Sequence, residues 1–125
     1  MRLRFLLLPA FLLFALNLFA DKDLVKLTIE VKTLGGRPID RASVIVRFIE
    51  GRSVIKFGKS IRKNWEIRTN QEGVAKIPPV PQGKILIQVI AKGYQTYGET
   101  HEFDEEEKTV EIKMNPPQAP YSAHQ

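Results

Sequence analysis

The chain has 125 residues, 43% of them hydrophobic and 26% charged, with a formal net charge of +5 and no cysteine. That length and apolar share describe one small domain with a core and exclude a wholly disordered chain. The missing cysteines exclude a disulfide framework, a Cys-ligated zinc site, a thiol nucleophile and a lipid-modified N-terminal Cys, and the two histidines are little material for a Ser-His-Asp triad or a His-rich metal site.

Residues 1–20 stand apart from the rest. Arg2 and Arg4 precede the apolar run Phe5–Leu16, broken only by Pro9, and Ala20 is followed by Asp21-Lys22-Asp23. A positive start, a short apolar helix and a small residue before an acidic one read as a cleavable secretory signal, so the protein is expected to be secreted or periplasmic. The apolar stretch of about 16 residues is short of the ~20 that span a bilayer. An uncleaved anchor is the alternative, because Leu18 is larger than the −3 position of a cleavage site prefers. Arg2 and Arg4 are two of the 19 basic residues, so the remaining 105 residues carry 17 bases against 14 acids, a net +3. That small excess, on a protein expected to be exported, argues against a nucleic-acid partner.

Beyond residue 20 the period is two. Val25, Leu27, Ile29 and Val31 alternate with Lys26, Thr28, Glu30 and Lys32, the spacing of a strand with one face buried. Gly35-Gly36 and Pro38 break it. Ala42, Val44, Val46 and Phe48 form a second alternating set; Ile45 and Ile49 lie on its other face, so this strand is expected to be covered on both sides. Val54–Phe57 is a third, shorter candidate, and Trp65, Ile67 and Thr69 mark a fourth. Asn70-Gln71-Glu72-Gly73 has the residues of a type I turn, and Val74–Ile77 is a short fifth strand. Pro78, Pro79 and Pro81 cannot donate ladder hydrogen bonds and predict a crossing or a sheet edge. Lys84–Ala91 is the most apolar strand, with Ile85, Ile87 and Val89 on one face and Leu86 and Ile90 on the other. A looser strand runs through Thr100, and Val110, Ile112 and Met114 close the domain. The three prolines of residues 115–125 predict a solvated, disordered Pro-rich tail.

Seven or eight short strands with turns between them predict an antiparallel all-β sandwich or barrel behind the N-terminal signal helix, and the alternation favours two packed sheets. The order of the turns then resembles a known family. Gly36-Arg37-Pro38-Ile39-Asp40-Arg41-Ala42-Ser43-Val44 resembles the "G-x-P-[IV]-x-x-A-x-V" opening of carboxypeptidase regulatory-like domains. Thr69-Asn70-Gln71-Glu72-Gly73-Val74-Ala75 is similar to their "T-[DN]-x-x-G-x-A" turn, the stretch from Pro78 to Gly83 to their "[LI]-P-P-G", and Ala91-Lys92-Gly93-Tyr94 to their "A-x-G-[YF]". The resemblance covers residues 24–114 and implies a seven-stranded transthyretin-like, Ig-like β-sandwich, usually a non-enzymatic module of exported bacterial proteins. Gly36, Gly73 and Gly93 then serve turns or positive φ. Pro38 fixes the entry to the second strand, and Tyr94 is expected to bury its ring and anchor a backbone group through its hydroxyl.

Sharper chemistries find little support. Lys32 and Asn115 are placed like the Lys–Asn isopeptide pair of collagen-adhesin-type surface domains, but Val89, with Gln88 beside it, stands where that chemistry expects a carboxylate to shuttle the proton. The end Tyr121-Ser122-Ala123-His124-Gln125 departs from the Tyr-Arg-Gly-Ser of transthyretin-fold hydroxyisourate hydrolases, and His101 lies in an acidic loop. No enzyme and no cofactor are expected. Charge is uneven: Arg52, Lys56, Lys59, Arg62, Lys63 and Arg68 share one segment with Glu66 the only acid, while Glu99, Glu102, Asp104, Glu105, Glu106 and Glu107 form an acidic one. Clustered carboxylates suit a hard cation such as Ca²⁺, but this stretch has no recognisable ligand loop and no metal is expected; acidic and basic tips suit weak self-association. The expected function is protein–protein interaction in the cell envelope through a sheet edge or loops. The alternative is a glycan or anionic envelope polymer bound by the basic segment with Trp65 as aromatic anchor, although the alternation of Trp65 with Ile67 points it at the core.

Overall fold

A computed structural model of the chain describes residues 23–51 and 62–117. The signal segment, the strand expected at residues 54–57 and most of the Pro-rich tail lie outside these described residues. Seven strands follow in order: β1 (Leu24–Thr33), β2 (Ser43–Glu50), β3 (Asn64–Arg68), β4 (Val74–Pro81), β5 (Gly83–Ile90), β6 (Tyr97–Phe103) and β7 (Glu107–Met114). They form a three-stranded sheet, β4-β1-β7, and a four-stranded sheet, β3-β2-β5-β6. This is the all-β, seven-stranded sandwich expected from the alternation.

The core lies between the sheets and is built from the residues of one parity. Val25, Leu27, Ile29 and Val31 on β1 face Val44, Val46, Ile85, Ile87 and Val89 on β2 and β5, all at most 1% exposed. Because the pleat sends alternate side chains to opposite faces, one apolar parity per strand is enough to fill the space between two sheets. Ile112 and Met114 of β7 and Phe103 of β6 complete the layer.

One pairing departs from an antiparallel sandwich. β7 runs parallel to β1 over eight residues, from Lys26↔Glu107 to Thr33↔Met114, while every other pair is antiparallel. β4 also runs further than expected, through all three prolines to Pro81. It can do so because it is an edge strand and because the register with β1 skips between Val25↔Val80 and Leu27↔Ile77. Pro78 and Pro79 together face one β1 residue, a bulge that asks no ladder donor of either.

Two ends organise the sandwich. At one, Thr69 just beyond β3 is buried. Its amide donates to Ala42 O at 2.9 Å, and its hydroxyl accepts from Ala42 N at 2.8 Å and donates to Ile39 O at 2.7 Å. Asn70 opens the turn to β4, its Oδ1 accepting from Glu72 N and Val74 N at 3.0 Å each. At the other end, the Gln82 side chain donates to Leu24 O and Glu105 O at 3.0 and 3.1 Å, tying the β4–β5 turn to the start of β1 and to the β6–β7 turn.

Candidate functional site

The outer faces of the two sheets are unlike. On the three-stranded sheet, parallel register sets Glu30 beside Glu111 and Lys32 beside Lys113, like next to like. The side chains resolve this on the diagonal: Lys32 Nζ lies 3.1 Å from Glu111 Oε2 and 3.8 Å from Glu30 Oε1. The hydrogen bond and charge of Glu111, with help from Glu30, hold the Lys32 ammonium above its ordinary pKa. This face is charged, and Lys32 and Lys113 both reach Glu111. Lys32 is therefore taken by Glu111 rather than placed for amide formation, and Asn115 is exposed, its carbonyl accepting from Gln95 N at 2.9 Å.

The four-stranded sheet shows the opposite surface. Ile45 and Ile49 of β2 and Leu86 and Ile90 of β5 point outward, and the register interleaves them: Ser43↔Ile90, Ile45↔Gln88, Arg47↔Leu86. Ile49 and Ile90 are each 49% exposed. The sequence expectation that this side of β2 is covered is therefore corrected: no described element packs there. An apolar residue in both parities reads as doubly buried, but here the second face has no second layer among the described residues. Gly98 and Thr100 of β6 add little bulk beside the patch, and Glu66, Arg68, Lys84 and Glu102 rim it. Two of these rim charges are engaged, with Ser43 Oγ 2.9 Å from Glu66 Oε1 and Lys84 Nζ 3.3 Å from Glu50 Oε1.

Of the basic segment, Arg62, Lys63 and Arg68 are among the described residues. Arg52, Lys56 and Lys59 lie outside the described residues. Trp65 pairs with buried Val46 and so projects inward, packing on the core at the β3 edge. The Arg62 guanidinium sits 4.2 Å over its ring and donates from Nε to Asn64 O at 2.8 Å. Lys63 is half-buried, and its carbonyl accepts from Phe48 N at 2.9 Å. Trp65 is thus capped by the cation that was expected to stand beside it, and its buried Nε1 has no hydrogen-bond partner among the described residues.

The motif residues sit at turns. Gly36, Gly73, Gly83 and Gly93 all have positive φ. Gly73 brings two motifs together: its carbonyl accepts from Val31 N at 2.7 Å, and a Cβ on it would stand 3.0 Å from Pro38 Cβ. Pro38 bridges to Lys32. Tyr94 packs its ring against the core as expected, but its hydroxyl makes no hydrogen bond with a described residue, so the expected backbone anchor is replaced by plain burial.

His101 was expected in an acidic loop and stands instead within β6, paired with Ile85. Continuous pairing with β5 extends the strand to Phe103 despite its acidic residues. Tyr97, Glu99, His101 and Phe103 form a row on the inner face at this sheet edge. Tyr97 O–H donates to Glu99 Oε2 at 3.1 Å, and His101 Nε2 lies 3.0 Å from the same hydroxyl. With the hydroxyl proton directed at the carboxylate, the contact calls for the imidazole to carry a proton on Nε2 and donate it to the hydroxyl oxygen. Burial, then the hydrogen bond and charge of Glu99, push the Tyr97 hydroxyl up to about 12. The His101 ring stacks on Phe103 with centroids 5.6 Å apart. The acidic residues that follow are spread along β6, the turn and β7, and Glu105, lowered by the hydrogen bond from Lys108, is paired with it at 3.2 Å. Among the described residues no group of three or more His, Cys, Asp or Glu is placed to hold a metal ion, so the acidic stretch does not gather into a Ca²⁺ site there.

No protein-family model matches the sequence, and no curated protein sequence does. Solved structures share the fold. The 3-chlorocatechol 1,2-dioxygenase of Rhodococcus opacus aligns with a TM-score of 0.60 at 10% identity over 76% of this chain and 60% of its own. Catechol 1,2-dioxygenase of Pseudomonas arvilla gives 0.61 at 11% identity over 83% of this chain and 57% of its own. The Bacillus anthracis TIE protein gives 0.51 at 15% identity over 75% of this chain and 17% of its own. The chain thus spans less than two thirds of each, and at these identities the likeness is one of β-sandwich fold alone.

Proposed function

We propose that this chain is an exported, non-enzymatic module of the carboxypeptidase regulatory-like, transthyretin-like kind, and that it binds an envelope protein through the outer face of its four-stranded sheet. The observation that carries the reading is the contrast between the two faces: one charged and ion-paired, the other with Ile45, Ile49, Leu86 and Ile90 turned to solvent. The four lie on a diagonal run between Ser43, Arg47 and Gln88, and exposed apolar side chains grouped on one sheet face mark an interaction site. Export is supported by the signal-like residues 1–20, and the family assignment by four turn motifs that fall at turns or strand ends of a seven-stranded sandwich.

The test is a comparative capture from the envelope fraction of the native cell, using the wild-type protein and the Ile49→Lys, Ile90→Glu double variant. Both positions are half exposed, so the variant should melt like wild type. A defined set of proteins held by wild type and lost from the variant is the expected result. An identical set on both would remove this face from the function.

A further inference from the structure

The chain leaves the sandwich at a defined place. β7 belongs to the three-stranded sheet, but the residues that follow it are held by the β5–β6 loop of the other sheet. The Gln95 amide donates to Asn115 O at 2.9 Å, and the Gln95 side chain donates to Pro116 O at 2.8 Å. Residues 115–117 therefore cross the end of the sandwich where β5 stops at Ile90. Ile90 is paired with Ser43, the first residue of β2, so it opens the apolar run of the outer face at this end; Ile45 and Leu86 follow down the face.

Residues 118–125 read Gln-Ala-Pro-Tyr-Ser-Ala-His-Gln, with no Lys, Arg, Asp or Glu and one large apolar side chain, Tyr121. Prolines at 116, 117 and 120 restrict this stretch toward polyproline geometry. At about 3.1 Å per residue, Tyr121 stands about 12 Å beyond Pro117. Ile90 to Leu86 on β5 is four residues at about 3.3 Å each, nearly the same span. The chain thus starts at the head of the apolar run and carries its one aromatic ring the length of it.

The face suits this occupant in charge as well as in reach. A tyrosine ring covers aliphatic side chains while its hydroxyl stays in water. Arg47 lies between Ile45 and Ile49 and opposite Leu86, and its guanidinium forms no hydrogen bond or ion pair with a described residue. An uncharged segment can meet it with a ring face or with backbone carbonyls, and brings no charge of its own to desolvate. Tethering adds to this, because a short link presents the segment at an effective concentration on the order of mM, where weak contact is enough.

We propose that residues 118–125, in place of the solvated tail expected from their prolines, lie across the outer face of the four-stranded sheet with Tyr121 over the patch of Ile45, Leu86 and Ile90. The segment is a tethered cover that a partner must displace. This inference rests on the reading of that face as the binding surface and gives it a regulation: the affinity a partner shows is reduced to the fraction of molecules whose cover is open.

Paired cysteines can report the seat, since the chain has none of its own. Ser122→Cys keeps Tyr121 in place. It is combined with Gln88→Cys, on the covered face beside Ile45, or with Lys113→Cys, on the outer face of the three-stranded sheet and close to the tail along the chain. The full chain is oxidised mildly at a dilution where only intramolecular bonds form. The Gln88 pair should close roughly tenfold faster than the Lys113 pair, the reverse of the order that chain distance alone gives. Tyr121→Ser added to both pairs should erase that preference. Equal closure of the two pairs, faster closure of the Lys113 pair, or a Gln88 preference that survives Tyr121→Ser would each overturn the proposal. The cross-linking decides the cover and the envelope capture decides the partner, so the failure of one is read apart from the failure of the other.

Discussion

Thr69 and Ala42 hold each other by two hydrogen bonds, the Thr69 amide to Ala42 O at 2.9 Å and the Ala42 amide to the Thr69 hydroxyl at 2.8 Å. The same hydroxyl serves Ile39 O at 2.7 Å, so one buried oxygen fastens the β1–β2 loop to the end of β3. Thr69→Val keeps the shape and removes both side-chain bonds, leaving a buried N–H and C=O unserved. Stability should fall by about 2–4 kcal/mol, at roughly 1–3 per orphaned group and with partial relaxation. Thr69→Ser keeps the hydroxyl and should lose about 1 kcal/mol or less for its methyl group. Urea unfolding with an unchanged slope checks both, and equal losses would show that the methyl, not the hydroxyl, matters.

The glycines divide by what surrounds them. Gly36 and Gly93 have φ of +91° and +86° with open space where a Cβ would go. Their alanine variants should lose about 1–2 kcal/mol, the cost of a left-handed non-glycine. A Cβ on Gly73 (φ +75°) would overlap the Val31 carbonyl oxygen, and one on Gly83 (φ +136°) the Glu50 carbonyl oxygen. Thermal melts should rank Gly73→Ala and Gly83→Ala clearly below the other two. An even loss across all four would mean that the backbone crowding relaxes freely.

Trp65 is the only tryptophan, so fluorescence reads it alone. Its inward projection and the Arg62 cap predict blue-shifted emission and weak quenching by iodide. Envelope polysaccharides should leave the spectrum unchanged. Trp65→Phe should be mild in polar terms, because the buried Nε1 has no partner to lose. Emission near that of free indole would place the ring in solvent and reopen a role as a binding aromatic.

Tyr97 predicts an alkaline limb in stability. Its folded pKa, about 12, lies above the ordinary tyrosine value of about 10. The stabilisation tied to its protonated form is full below pH ~10 and is lost as pH rises toward ~12. The ring is partly solvated, so screening reduces the effect to roughly 1 kcal/mol. Between those pH values the wild type should lose more stability than Tyr97→Phe, and ultraviolet titration should show one of the three tyrosines ionising late. Parallel stability curves would show that neither burial nor Glu99 raises the hydroxyl in the folded state.

The inner layer was legible in the sequence because a strict period of two has only one burial solution: Val25 through Val31 and Ile85 through Val89 face each other as their spacing requires. The Asn70–Gly73 turn was legible because its residue chemistry is local. What lay beyond reach depends on neighbours far along the chain. Alternation marks Ile45 and Leu86 as apolar on the second face but cannot say whether another layer exists to cover them. It places His101 among acids but not in register with Ile85, and it shows Pro78 and Pro79 without the bulge that makes room for them. Arg62 and Trp65 were both singled out, yet the placing of the guanidinium over the ring is a side-chain arrangement that no periodicity encodes.

The parallel pairing of β1 with β7 sets an order in time. β1 is the middle strand of its sheet, and one of its two partners is the last strand of the domain. A growing chain therefore cannot finish that sheet until residue 114 has been made, and pairing between such distant segments is slow to form. The four-stranded sheet and the β1–β4 pair need nothing from β7, so what waits for the final described strand is the second side of β1 and the part of the core that Ile112 and Met114 fill.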